Sequence, residues 1–279
     1  MTSSYGDRLT AAVQARGPVC VGIDPHPALL SAWGLSADAT GVQQFSRTVI
    51  EALGDRVAVF KPQSAFFEAY GSAGIGVLEQ VLADIAGCGA LALLDVKRGD
   101  IGSTMDAYAA AYLTDGSPLA ADAITLSPYL GFGSLTGAID IAASSGRGVY
   151  VLALTSNPEG AQVQHARTGG DRMVAQAIID DASAINGDAR GLGHVGIVAG
   201  ATIGRTGADF TALNGSILAP GLGAQGAGAA DLVDVFGSAR RLVLPSMSRE
   251  VLSAGPSPVR LRQTFARVRG EMEAALAVG

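Results

Sequence analysis

Charges of both signs stand where an apolar run stops: LALLDVKRGDIGST, residues 91–104, carries Asp95, Lys97 and Asp100 at its end. Side chains in a strand alternate faces, so Asp95 and Lys97 share one face, Val96 takes the other, and Asp100 falls on the loop beyond. Burying a carboxylate and an ammonium costs several kcal/mol each unless they pair, which is more than a purely structural strand end has reason to carry. Lys61, closing the run VAVFKP, and Asp24, closing PVCVGID, extend the set. A lysine held between carboxylates stays protonated, because neighbouring negative charge favours its charged form. It is then a poor Schiff-base nucleophile but a good proton donor and electrostatic anchor. That chemistry suits a reaction passing through a carbanion or an enolate.

Other chemistries find little support. His26, His165 and His194 lie on unrelated segments with no metal-ligand spacing, and neither HExxH nor CxxC occurs. Ser127, Ser144, Ser145, Ser156 and Ser248 lack a GxSxG elbow, which argues against serine hydrolysis. Cys20 and Cys88 are too few for a disulfide framework and read as buried thiols.

The charged residues need elements to position them. Short, almost continuously apolar runs occur at 18–24, 57–62, 90–97, 123–128, 148–156, 194–200, 216–221 and 241–246, as expected of strands buried on both faces. Segments with apolar residues three and four apart lie between them, among them 41–54, 74–87, 134–144 and 171–185, and predict helices. Eight strands alternating with helices over this length predict a (β/α)₈ TIM barrel, with an open doubly wound sheet as the alternative. No linker or composition break divides the chain, so residues 1–279 are expected to form a single domain.

In such a barrel catalytic groups gather at the C-terminal ends of the strands. Asp24, Lys61, Asp95, Lys97, Ser127, Thr155, Ser156, Pro220 and Arg249 all fall at those ends. The glycine-rich PGLGAQGAG (220–228) and Arg249 occupy the loops after strands seven and eight, the habitual phosphate site of this fold. A planar guanidinium there clamps a phosphate through two hydrogen bonds. Gln225 offers an amide able to bridge phosphate and base, and residues 221–228 are a candidate lid.

Composition limits the partners. Nearly half the residues are apolar and 16% are charged, which describes a compact globule. A net charge of −6 disfavours a general nucleic-acid or membrane-surface binder. No stretch approaches a membrane span and MTSSYGDRLTAAVQARG lacks a signal peptide's apolar centre, so a cytoplasmic location is expected.

DVKRGDIGST resembles the DxKxxDIxxT signature of the orotidine 5′-phosphate decarboxylase family. The resemblance runs through GID, FKP, SNPEG, PGLGAQG and the arginine after strand eight, and SPYLG (127–131) is similar to the longer bacterial subgroup. It implies a carbon–carbon lyase that makes UMP in pyrimidine biosynthesis without a metal or organic cofactor. By matching position, Lys97 would donate a proton to C6 as carbon dioxide leaves, and Asp95 would lie against the departing carboxylate. Lys61 and Asp24 would hold the ribose hydroxyls, Ser156 the pyrimidine ring, and Gln225 and Arg249 the phosphate, with Pro220 and Gly226 also against the substrate. Asp100, with Ile101 and Thr104, would reach the neighbouring subunit's site and make the enzyme a homodimer. The same resemblance assigns the stripe Met105, Tyr108, Ala109 and Tyr112 to the subunit interface, although its helical spacing fits core packing equally well.

Two alternatives stay open at this level. A metal-dependent sugar-phosphate synthase or epimerase of the same superfamily shares the DxKxxD core, but few acidic and histidine ligands stand at the other strand ends. A nucleotide-binding barrel without activity would keep the phosphate site and lose the charged set, which is intact here. The stretch 161–193 reads as helix and loop, with a polar turn around Asn186 and no assigned role.

Overall fold

The computed structural model describes residues 3–223 and 228–277. Its strands are β1 (Cys20–Ile23), β2 (Val59–Pro62), β3 (Leu91–Arg98), β4 (Ala123–Leu126), β5 (Gly148–Leu154), β6 (Val195–Ala199), β7 (Ile217–Ala219) and β8 (Val243–Met247). They pair in chain order, all parallel, and β1 closes on β8. The predicted TIM barrel is therefore the fold, with each of the eight anticipated runs in its expected place.

Alternation explains why every strand is apolar throughout. One set of side chains, including Cys20, Val59, Leu93, Ala123, Tyr150, Val198, Leu218 and Leu244, fills the barrel interior. The other set, including Val21, Phe60, Leu94, Ile124, Val149 and Ile197, packs against the surrounding helices. Among those helices, Ala39–Leu53 is capped by the Asp38 side chain, which accepts from Gly41 N. Pro258–Leu276 starts with Pro in its first turn, buries Leu261, Phe265, Val268 and Met272, and leans on Ala39–Leu53.

The helix Tyr5–Arg16 plugs the N-terminal mouth of the barrel. Tyr5 enters the interior and its hydroxyl lies 3.1 Å from that of Tyr150, the two rings meeting edge to face. Gly148 makes room, because a Cβ there would stand 2.3 Å from the Tyr5 ring. Arg8 pairs with Asp122, whose other carboxylate oxygen accepts from Ala92 N at 2.8 Å, tying the plug to β3 and β4.

Asn186 ends the helix Val174–Asn186 and is fully buried, not the polar turn that its sequence suggests. Its amide donates to the carbonyls of Val195 (2.7 Å) and Leu213 (2.9 Å) and accepts from Val195 N (3.2 Å). A buried group meeting three backbone partners leaves all three unpaired when it is removed. Asn186→Ala is expected to lower stability by about 3 kcal/mol. Urea denaturation at fixed protein concentration measures this, and an unchanged midpoint would contradict the role.

Candidate active site

The charged residues converge because each sits one inward step above the apolar floor. On β2 the inward positions run Val59 then Lys61, on β3 Leu93 then Asp95, and on β4 Ala123 then Thr125. Together they line a cavity of about 530 Å³ at the C-terminal mouth. Asp24 follows β1, Thr155 follows β5, Pro220 follows β7 and Arg249 follows β8, and all four complete its wall. Lys61, Lys97 and Arg249 face Asp24 and Asp95, a local excess of one positive charge in a chain whose net charge is −6. An anionic ligand fits such a mouth.

Asp95 is the hub. Its Oδ1 accepts from Lys97 Nζ at 2.6 Å and from Thr125 Oγ1 at 2.8 Å, while Oδ2 accepts from Lys61 Nζ at 3.0 Å. Burial alone would raise the carboxyl's pKa, but the two ammonium groups and the hydroxyl outweigh it and hold the group well below the usual carboxylate range. Burial likewise opposes the charge on Lys61, and the carboxylates of Asp95 and Asp24 overcome it, keeping that ammonium above its ordinary value. The two lysines differ in access. The Lys61 side chain is 8% exposed and that of Lys97 45%, so Lys97 is the one able to hand a proton to a bound molecule.

Asp95 and Lys97 share a face, but not by plain alternation. The β3–β4 register shifts between Leu94 and Arg98, and Lys97 takes a left-handed backbone conformation with φ of 45°. Such a bulge re-aims side chains beside a site. Arg98 faces outward with Leu94 and Val96, and there its guanidinium pairs with Glu68 at 2.7 Å and stacks over Tyr108 and Tyr112.

On the β1 and β8 side, Asp24 Oδ1 and Ser248 Oγ are buried without a hydrogen-bond partner among the described residues. Both residues line the cavity, and a buried acceptor left unmet costs about 1–3 kcal/mol, so ligand hydroxyls or phosphate oxygens suit this corner. Gly22 permits their approach, since a Cβ there would lie 2.9 Å from Ser248 Cβ and 3.0 Å from Asp24 Oδ2.

The structure thus gathers Asp24, Lys61, Asp95, Lys97, Pro220 and Arg249 from the sequence expectations into one cavity. Ser156 is exposed at the rim, and the wall after β5 is Thr155 instead. The β5–β6 register shift between Leu152 and Leu154 breaks the alternation that would have turned Ser156 inward. Gln225 and Gly226, with half of the candidate lid (224–227), lie outside the described residues. Asp100, Ile101 and Thr104 do not line the cavity of their own subunit. Asp100 Oδ1 accepts from Ile101 N at 2.8 Å, and Ile101 and Thr104 point to the surface. The helical stripe divides differently from the interface expectation: Met105, Ala109 and Tyr112 are buried in their own subunit's core, and Tyr108 is half-buried. The exposed apolar side chains on this flank are Ile101, Tyr129 and Leu130.

Gln63 and Thr125 line the cavity but have no counterpart among the sequence candidates. Gln63 Oε1 accepts from Lys61 Nζ at 3.3 Å. Each residue stands two positions beyond an inward-facing neighbour, so strand parity, not charge, is the signal that finds them. Among the described residues, no group of three or more His, Cys, Asp or Glu side chains is placed to hold a metal ion. No helix among them is long and apolar enough to cross a membrane.

Residues 17–262 match the sequence model of the orotidine 5′-phosphate decarboxylase / HUMPS family. The orotidine 5′-phosphate decarboxylase of Salinispora arenicola is 62% identical over 273 residues, covering 98% of both chains. That of Streptomyces coelicolor is 52% identical over 272 residues, again 98% of both. A crystal structure of a putative orotidine 5′-phosphate decarboxylase from Streptomyces avermitilis superposes with a TM-score of 0.96 at 54% identity, covering 99% of this chain and 97% of that one.

Proposed function

The chain belongs to the orotidine 5′-phosphate decarboxylase / HUMPS family and is a decarboxylase making UMP in pyrimidine biosynthesis, and we propose that Lys97 is its proton donor and that no metal or organic cofactor takes part. The observation that carries this reading is the Lys97 ammonium, half-exposed to the cavity and held at 2.6 Å by Asp95. When the bond between C6 and the carboxyl carbon breaks, the electron pair stays on C6 and carbon dioxide departs. No neighbouring carbonyl delocalises that pair, so the site must present positive charge fixed in advance. Lys97 supplies it and passes a proton from Nζ to C6, which gives UMP. The amine then regains a proton from water.

The rest of the cavity positions the nucleotide. Arg249 takes the phosphate, Lys61 and Asp24 take the ribose hydroxyls, and Asp95 lies against the departing carboxylate. Binding the phosphate far from C6 still serves the reaction where it orders the site around the substrate. Ser156 contacts the pyrimidine from the rim. Asp100, with Ile101 and Thr104, completes the neighbouring subunit's cavity in a homodimer; the exposure of Ile101 and Thr104 on the flank that also presents Tyr129 and Leu130 supports this. A cytoplasmic location accompanies the reading, because a phosphomonoester dianion does not cross a bilayer unaided.

The decisive experiment follows orotidine 5′-phosphate by absorbance with purified protein, before and after exhaustive chelation. Conversion to UMP at an undiminished rate is expected in both cases. Protein that binds UMP yet releases no carbon dioxide would overturn the assignment, and loss of activity on chelation would overturn its cofactor independence.

A further inference from the structure

We propose that Thr125 is the positioning residue for the Asp95–Lys97 pair, and that the reaction depends on its hydroxyl, not on its bulk. The inference rests on Lys97 being the proton donor. Opposite the irregular segment of β3, two residue steps of β4 (Ile124 to Leu126) span what four steps of β3 (Leu94 to Arg98) span, and Thr125 is the residue between the two paired positions of β4. The ladder there cannot pair every backbone group. Thr125 Oγ1 takes over one of them, accepting from Lys97 N at 2.9 Å.

The direction of each hydrogen bond is forced. A backbone N–H only donates, so the threonine oxygen accepts from it. The single hydroxyl proton is then left for Asp95 Oδ1, 2.8 Å away, and an ionised carboxylate only accepts. One hydroxyl thereby fixes both ends of the pair: the backbone of the lysine and the carboxylate that holds that lysine's Nζ. The lysine backbone needs fixing, because a left-handed conformation in a residue bearing a Cβ costs about 1 kcal/mol or more unless its surroundings impose it. Thr125 is 1% exposed, which shields both bonds from water. Losing them would leave the part-buried Lys97 N–H unpaired and free Lys97 to relax away from the reacting carbon.

The test compares kcat, KM and UMP affinity for full-length Thr125→Val and Thr125→Ser proteins, with Lys97→Ala measured alongside. Thr125→Val keeps the branched shape and loses the hydroxyl. It is expected to lower kcat about 100-fold, the scale of a misplaced reacting group, with KM and UMP affinity little changed. Thr125→Ser keeps the hydroxyl and is expected to retain most of kcat. Near-normal kcat in Thr125→Val overturns the proposal if Lys97→Ala is inactive, whereas an active Lys97→Ala removes the reading on which it rests. Equal damage in Thr125→Ser overturns it by assigning the effect to packing. A raised KM at unchanged kcat overturns it by making Thr125 a binding contact. Should Thr125→Val not fold, Thr125→Ala removes the same hydroxyl without placing a methyl against Asp95. Failure of both to fold assigns the hydroxyl to barrel stability and overturns the proposal as well.

Discussion

Lys97→Ala is expected to abolish turnover of orotidine 5′-phosphate while leaving UMP binding measurable. In the proposed mechanism the lysine performs two tasks at once: it presents a cation where charge develops on C6, and it delivers the proton that discharges it. Losing a positioned proton donor costs about 10²–10⁴ in rate, and losing a preorganised electrostatic partner about 10²–10³. The two losses fall on one residue, so a decrease of at least about 10⁴-fold in kcat is the reasonable scale. Binding is different, because the proposed phosphate and ribose contacts lie with Arg249, Lys61 and Asp24. The fold should tolerate the change, since the side chain of Lys97 is 45% exposed and Asp95 keeps Lys61 and Thr125 as donors. Titration calorimetry with UMP, beside the absorbance assay, separates the two effects. A variant with turnover within tenfold of wild type would remove Lys97 from the chemistry. One that loses UMP binding altogether would make it a binding residue.

Much of this site is legible in the sequence because its residues are expensive. Asp95, Lys97 and Lys61 are charges in otherwise apolar strands, and a charge in such a place must be paired, so composition exposes it. The barrel is legible for a related reason: strands buried on both faces, such as LALL and GVYVLAL, stand out as unbroken apolar runs between amphipathic segments. What escapes notice is cheap or depends on long-range register. Thr125 is a neutral residue of high strand propensity, indistinguishable by type from a packing residue until β4 is laid against the bulge in β3. Counting along β5 turns Ser156 inward, and the register shift after Leu152 leaves it at the rim with Thr155 in the wall. Asn186 looks like a turn residue because asparagine favours turns, and only the approach of Val195 and Leu213 shows it to be a buried clamp. Met105 and Tyr112 illustrate the limit of helical periodicity, which finds an apolar stripe without saying whether a subunit's own barrel or its neighbour covers it.

The proposed sharing of the active site between subunits makes the second large prediction, and it is one that no single subunit can satisfy. If Asp100 serves the neighbouring cavity, Asp100→Ala protein lacks a carboxylate in every site and Lys97→Ala protein lacks a lysine in every site. Both homodimers should therefore be nearly inactive. In a mixed dimer the two defects fall together in one site, and the other site keeps both Lys97 and Asp100. Random exchange makes about half of all dimers mixed, so about a quarter of all sites become intact and about a quarter of wild-type activity should appear. The geometry favours this outcome: Asp100 stands beyond the end of β3 and outside its own cavity, while Asp95 and Lys97, five and three residues earlier, line it. Co-refolding equal amounts of the two variants and assaying decarboxylation gives the readout, with dimer formation checked by sedimentation. Mixed dimers without recovered activity would return Asp100 to a role within its own subunit. A fully active Asp100→Ala homodimer would remove it from the reaction, and the run 91–104 would then act through Asp95 and Lys97 alone.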